Sequence, residues 1–134
     1  MSFTRLRYHI VFATKARTPW ISAEVEDVLY PLLGNLTRTL GGRLIRVGGV
    51  EDHIHLINAI PATLSVADFV RDLKSRSSAA LHQRFEHLES FRWQRGFGCF
   101  SLNPMDMAGI IAYVENQKEH HRRERLCEAW ELIS

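Results

Sequence analysis

Two histidines stand one residue apart in the stretch GGVEDHIHLI, residues 48–57, which otherwise has the composition of a buried strand. Side chains alternate across a strand, so His53 and His55 project from the same face. Two imidazoles at this spacing can bind one metal ion, because an ordinary imidazole is neutral at pH 7. They can equally be surface histidines on the open face of a sheet, and the spacing alone leaves both interpretations open.

A tyrosine and a glutamine share one face of a later helical segment, IIAYVENQKEHH. Tyr113 and Gln117 are four residues apart, so a phenol and an amide oxygen can reach the same point. A phenol has a pKa of about 10, and as a nucleophile it needs a nearby cation or proton acceptor. A helical tyrosine is more often a packing residue, so Tyr113 alone does not establish a nucleophile.

Basic side chains that can contact phosphates fall into two groups, each of which can also be a solvated helix face. The central group is Arg71, Lys74 and Arg76, and the group after the tyrosine includes Arg122, Arg123 and Arg125.

Three further residues have weaker cases. Glu51 shares the histidine face and can orient a metal-binding histidine through a hydrogen bond, or simply be exposed. His120 and His121 can supply an extra ligand or proton acceptor, or form polar surface.

The elements that must position these residues follow from hydrophobic periodicity and capping signals. The patterns predict strands over residues 5–14, 43–50, 52–60 and 91–102. Helices are predicted after the N-cap residues Ser22 and Ser65, and again from Met105 onward with a break near His120.

Three local features qualify this pattern. Pro31 falls inside the first helix, where a regular interior would lose about 3 kcal/mol, so we expect a kink or a later start. Gly48 and Gly49 predict a bulge or tight turn at or near the junction of the second and third strands. Trp93, Phe97 and Phe100 in the last strand can pack in the core or stack on a base.

The order β-α-β-β-α-β-α predicts an α+β, ferredoxin-like fold of the split βαβ type. Its four-stranded antiparallel sheet carries two helices on one face, and the C-terminal helix with Tyr113 can lie across the other. Ile54 and Leu56 must then face the first two helices, so the histidines face away from that core.

Bulk properties predict one globular domain over residues 1–134, with 46% hydrophobic and 24% charged residues. No apolar run reaches the roughly 20 residues that span a bilayer. The start MSFTRLRYHIVF lacks signal-peptide features, so we expect a cytoplasmic protein. Cys99 and Cys127 are expected to be reduced thiols.

Five segments together resemble a known family. YHIVFATKAR, VEDHIHLI, VRDLKSRSS, WQRGFGCFSL and YVENQKEHH occur in the order found in the single-tyrosine transposases of the insertion sequence IS200 type. The chain is most similar to the transposase-like proteins associated with repeated palindromic elements. The resemblance covers residues 5 to about 130. Its most specific part is the pairing of a His-hydrophobic-His strand with a Tyr-x-x-x-Gln helix.

This resemblance implies a metal-dependent transposase that cuts and rejoins single-stranded DNA at hairpin ends through a 5′-phosphotyrosine. It implies Tyr113 as the nucleophile and His53, His55 and Gln117 as ligands of Mg²⁺ or Mn²⁺. It also implies a homodimer in which the tyrosine helix of one subunit can serve the histidines of the other. Imidazole donors favour manganese when both metals are offered.

Three other protein classes could contain some of these features. A histidine-triad hydrolase needs a third histidine where Ile57 stands, and a cupin needs an all-β pattern, so the sequence disfavours both. A domesticated relative that binds hairpins without cutting them stays open as the alternative. The joint presence of the histidine pair, His53 and His55, with Tyr113 and Gln117 argues against it, because simple binding does not require a metal site and a nucleophile together.

Overall fold

The computed structural model describes residues 4–117, and its elements alternate as the sequence predicts. The strands and helices in chain order are β1 (Arg7–Ala13), α1 (Ala23–Thr39), β2 (Arg43–Val50), β3 (His53–Ala59), α2 (Val66–Arg84), β4 (Gly98–Ser101) and α3 (Met107–Glu115). Within these residues no helix is both long enough and apolar enough to cross a membrane.

The four strands form one sheet in the order β2-β3-β1-β4, and every neighbouring pair is antiparallel. Side chains from one face of β1 and β3 join those of α1 and α2 in the main core. Its members include Ile10, Phe12, Val25, Leu29, Leu33, Ile54, Leu56, Phe69 and Leu73. The predicted ferredoxin-like arrangement is therefore confirmed.

A second, smaller apolar layer lies on the opposite face of the sheet, where α3 packs against β2 and β3. Val11, Ala13, Ile57 and Val114 are buried but do not belong to the main core. The sheet thus separates a large core under α1 and α2 from a small one under α3.

Both predicted helix starts are present. The backbone N–H of Val25 donates to Ser22 Oγ over 3.3 Å, and that of Asp68 donates to Ser65 Oγ over 3.1 Å. α1 begins at Ala23 and continues through Pro31, so the expectation of a later start is wrong. Pro31 is exposed, while buried residues on the opposite side of α1 pack into the core and offset the lost hydrogen bond.

The turn between β2 and β3 falls just after Gly48 and Gly49 and not at these glycines, and they form no bulge. β2 continues to Val50, the turn falls at residues 51–52, and the register of β2 shifts instead between Leu44 and Arg46. A Cβ atom on Gly48 would lie 2.0 Å from the carbonyl oxygen of Val114. Glycine is needed here because α3 passes close to the backbone of β2.

β4 is shorter than the predicted strand over residues 91–102. Phe91 is fully buried, and the Trp93 ring meets the Phe12 ring edge-on at 4.7 Å between centroids. Trp93 keeps only an isolated bridge to Thr14. The aromatic residues before Gly98 are therefore core-packing residues, which was one of the two interpretations of Trp93.

Candidate active site

The histidine pair lies on the face of β3 that α3 covers. Ile54 and Leu56 point into the main core, and His53 and His55 point the other way, as alternation requires. Both histidines are 0% exposed, so they are not surface residues on an open sheet. Their ring centroids are 5.1 Å apart. The fold thus places two imidazoles side by side in a covered site.

Helix α3 brings the predicted nucleophile to this pair. The Tyr113 ring meets the His55 ring edge-on, with centroids 5.4 Å apart and an interplanar angle of 82°. Fully buried Val114, the next residue, packs its backbone against Gly48 of β2. The tyrosine and the histidines of a single chain are therefore neighbours.

Gln117 follows α3 and is 1% exposed. Within residues 4–117 neither its Nε2 nor its Oε1 has a hydrogen-bond partner. A buried polar group without a partner costs about 1–3 kcal/mol, so such an amide is suited to a ligand that the protein itself does not supply.

The donor types fit a divalent metal ion. Two imidazoles and an amide oxygen are ligands used for such ions, with phosphate or water completing the shell. Within residues 4–117 no cluster of three His, Cys, Asp or Glu side chains could form the site. Gln117 would therefore have to act together with His53 and His55.

Asp52, rather than Glu51, is the carboxylate that contacts the histidine pair. Its Oδ1 lies 2.8 Å from His53 Nδ1, whereas Glu51 is exposed in the turn. Burial raises the pKa of Asp52, but the hydrogen bond with His53 and the charge of Arg17 outweigh it, so the pKa is below its usual value. Strand alternation does not predict the position of Asp52, because alternation stops where the turn begins.

His9 of β1 is a second missed residue. It is 0% exposed, and its Nε2 lies 2.9 Å from His55 Nδ1. Burial lowers the pKa of His9 to about 4, so its imidazole is neutral at pH 7. Strand alternation could have indicated His9, because it places His9 and Ala13 on the same face of β1, and Ala13 pairs with His53.

Only two of the three central basic residues line a common cleft. Arg71 and Lys74 line a cleft of about 640 Å³, while exposed Arg76 lies outside its lining. Lys74 Nζ donates to the backbone carbonyl of Gln94 over 2.7 Å and also to that of Gly96. Burial lowers the pKa of Lys74 to about 8. A phosphate at Lys74 would therefore compete with two existing acceptors.

Three more cations that the sequence analysis did not group with Arg71 line the same cleft: Lys15, Arg92 and Arg95. Lys15 lies just after β1, and Arg92 and Arg95 lie in the segment between α2 and β4. The fold brings both segments next to α2. Arg122, Arg123, Arg125, His120 and His121 lie outside the described residues, as does the predicted helix break.

Known proteins resemble the chain over most of its length. The family model described as "Transposase IS200 like" matches residues 2–117. The transposase for insertion sequence element IS200 of Salmonella typhimurium is 31% identical over 121 residues, covering 87% of this chain and 79% of the relative. The ISDra2 transposase TnpA of Deinococcus radiodurans is 24% identical over 120 residues, covering 86% of each chain.

Two solved structures of transposases have a fold similar to that of this chain. A Deinococcus radiodurans R1 crystal structure assigned as a transposase superposes with a TM-score of 0.73 at 27% identity, covering 87% of this chain and 93% of that one. A tyrosine transposase bound to a REP hairpin shares the fold, with a TM-score of 0.67 at 13% identity, covering 92% of this chain and 72% of that one.

The fold and these matches place the protein among the transposases, which cut and join DNA. The chain belongs to the IS200-like transposase family.

Proposed function

We propose that this protein is a metal-dependent transposase that cuts and rejoins single-stranded DNA through a phosphotyrosine on Tyr113. The observation that carries the proposal is the contact between the Tyr113 ring and His55 in one covered site. His53, His55 and Gln117 would hold Mg²⁺ or Mn²⁺. When bound, the ion would neutralise charge on the phosphodiester and align it for in-line displacement.

The chain's own residues account for the remaining chemistry. Tyr113 Oη forms a bond to phosphorus, and the bond from phosphorus to the 3′ oxygen breaks. The phenol proton passes through solvent to that oxygen, leaving a 5′-phosphotyrosine and a free 3′-hydroxyl. Because a phosphoester is exchanged and not hydrolysed, a second 3′-hydroxyl can reverse the step without ATP.

The proposed substrate is a single-stranded DNA hairpin. A structural neighbour is bound to a REP hairpin, and the basic cleft beside α2 offers cations for phosphates. Arg71, Arg92 and Arg95 are the cleft residues we assign to this role. Arg122 and Arg123 stay predicted contacts from the sequence.

Subunit arrangement is a separate part of the proposal. Tyr113 lies beside His55 of its own chain, which supports a nucleophile acting in cis. The homodimer implied by the family resemblance would allow exchange of tyrosine helices. Mixing Tyr113→Phe with His53→Ala distinguishes the two, because an adduct is recovered only if the sites are built in trans.

The test of the chemistry is covalent capture. Labelled single-stranded oligonucleotides from the flanks of the coding region are incubated with protein and Mn²⁺ and resolved on denaturing gels. We expect an adduct that disappears without metal and in Tyr113→Phe and His53→Ala. Tyr30→Phe is the matched control, since it removes a phenol hydroxyl that contacts Glu26 on α1. Hairpin binding without an adduct, under Mg²⁺ and Mn²⁺, would instead establish the non-catalytic binder.

A further inference from the structure

His9 is a fully buried polar residue to which the proposed chemistry gives no role. It lies on β1 opposite Ile57, while the next residue on its face, Val11, lies opposite His55. The contact between His9 and His55 is therefore a diagonal one across an antiparallel pair, which is within reach of ring side chains. The sheet register fixes the relative positions of the two backbones, so strand pairing keeps His9 within reach of His55.

The ring of His9 is also held by its neighbours. It stacks on His55 with centroids 5.1 Å apart and an interplanar angle of 29°. Phe100 lies 5.9 Å away on one side, and Tyr113 meets it nearly edge-on at 6.0 Å. His9 thus contacts both a proposed metal ligand and the proposed nucleophile, and its orientation is determined by packing.

The two proposed metal-binding histidines have matching hydrogen bonds. Each is contacted at Nδ1, His53 by Asp52 Oδ1 at 2.8 Å and His55 by His9 Nε2 at 2.9 Å. An ionised carboxylate can only accept, so His53 must carry its proton on Nδ1. That tautomer leaves the Nε2 lone pair for a metal.

We propose that His9 is a positioning residue that does for His55 what Asp52 does for His53. His9 Nε2 accepts a hydrogen bond from His55 Nδ1–H and holds His55 in the tautomer with its lone pair on Nε2. The inference rests on the proposed function, because it assigns the lone pair to the same metal ion.

The first test uses the metal-free wild-type protein. Nitrogen-15 NMR of histidine-labelled protein distinguishes the two neutral tautomers, and His55→Gln assigns the signals. We expect His55 to carry its proton on Nδ1. A proton on Nε2 would overturn the inference whatever the protein does to DNA.

The second test is Mn²⁺ binding, followed by electron paramagnetic resonance of the free ion. His9→Phe keeps an aromatic ring but removes the acceptor, and we expect its Kd for Mn²⁺ to rise about 10–100-fold. His9→Gln can place an amide oxygen where Nε2 stands, so it should restore most of the affinity. The shorter His9→Asn cannot, and it should behave like His9→Phe.

The matched control is His82→Phe, which removes an imidazole bonded to the carbonyl of Phe91 on the far side of the sheet. It should leave Mn²⁺ affinity unchanged. Unchanged affinity in His9→Phe, or no difference between His9→Gln and His9→Asn, would refute the role of His9. A wild-type protein that binds no Mn²⁺ would refute the proposed metal site instead, and the tautomer measurement separates the two failures.

Discussion

Helix α3 passes close to the sheet at Gly48 of β2, and replacing this glycine by alanine should displace the helix. The added Cβ would lie 2.0 Å from the carbonyl oxygen of Val114 and 3.0 Å from its carbonyl carbon. Both atoms belong to the helix backbone, so no side-chain rotation can relieve the clash. Contacts below 3.0 Å are essentially never seen, and α3 must therefore retreat by about 1 Å.

This displacement has a calculable effect on the proposed chemistry, because Tyr113 directly precedes Val114. A misplacement of about 1 Å at a reacting group can cost about 100-fold in rate. Overpacking of this kind also costs about 1–3 kcal/mol of unfolding free energy. We therefore expect Gly48→Ala to fold, to melt at lower temperature, and to form the covalent adduct about 100-fold more slowly at saturating DNA.

Gly109→Ala is the matched control on the same helix. A Cβ there meets nothing within 4 Å, so the change should raise helix stability by up to about 1 kcal/mol. Its adduct rate at saturating DNA should equal that of the wild type. If Gly48→Ala kept both the wild-type melting temperature and a rate within about threefold, α3 would not be held against β2, and the site geometry described above would be wrong.

Three further predictions concern Asp52 and the basic cleft beside α2. Asp52→Ala removes the acceptor at His53 Nδ1 and should raise the Kd for Mn²⁺ about tenfold or more, measured by titration. Lys74 has its pKa lowered by burial to about 8 from the usual 10.5, so between these pH values the unfolded chain holds a proton that the folded chain has lost. The unfolding free energy of the wild type should therefore rise with pH across this window relative to Lys74→Met, and parallel denaturation curves for the two proteins would contradict the shift. Arg92→Gln and Arg95→Gln should each weaken single-stranded DNA binding alike for all sequences and reduce the slope of log K against log salt by about 0.7; an unchanged slope would exclude a phosphate contact at the cleft.

The sequence predicts the elements of this protein well where a single periodicity decides. Alternation in β3 places His53 and His55 on one buried face. The four-residue spacing of Tyr113 and Gln117 does not decide where Gln117 lies, because α3 ends at Glu115. The capping residues Ser22 and Ser65 locate two helix starts to the residue.

Prediction fails where the outcome depends on contacts between elements. His9 reaches His55 only through the register of β1 on β3, which a single strand does not encode. Asp52 contacts His53 because a two-residue turn reverses the chain just before it. Gly48 signals a close helix approach and not a turn, and local sequence does not distinguish these two uses of glycine.

The small apolar layer beneath α3 has a consequence for access to the histidines. α3 is nine residues long and buries only Val114, whereas α1 and α2 bury four and five residues. A helix this short is marginal by itself, so α3 should open locally at lower free energy than the rest, with faster amide exchange. His53 and His55 are fully covered, so under the proposed function DNA would reach them only in the open fraction, and its apparent affinity would be reduced by that fraction. Changes that tighten α3 should therefore weaken DNA capture while leaving the rate at saturation intact.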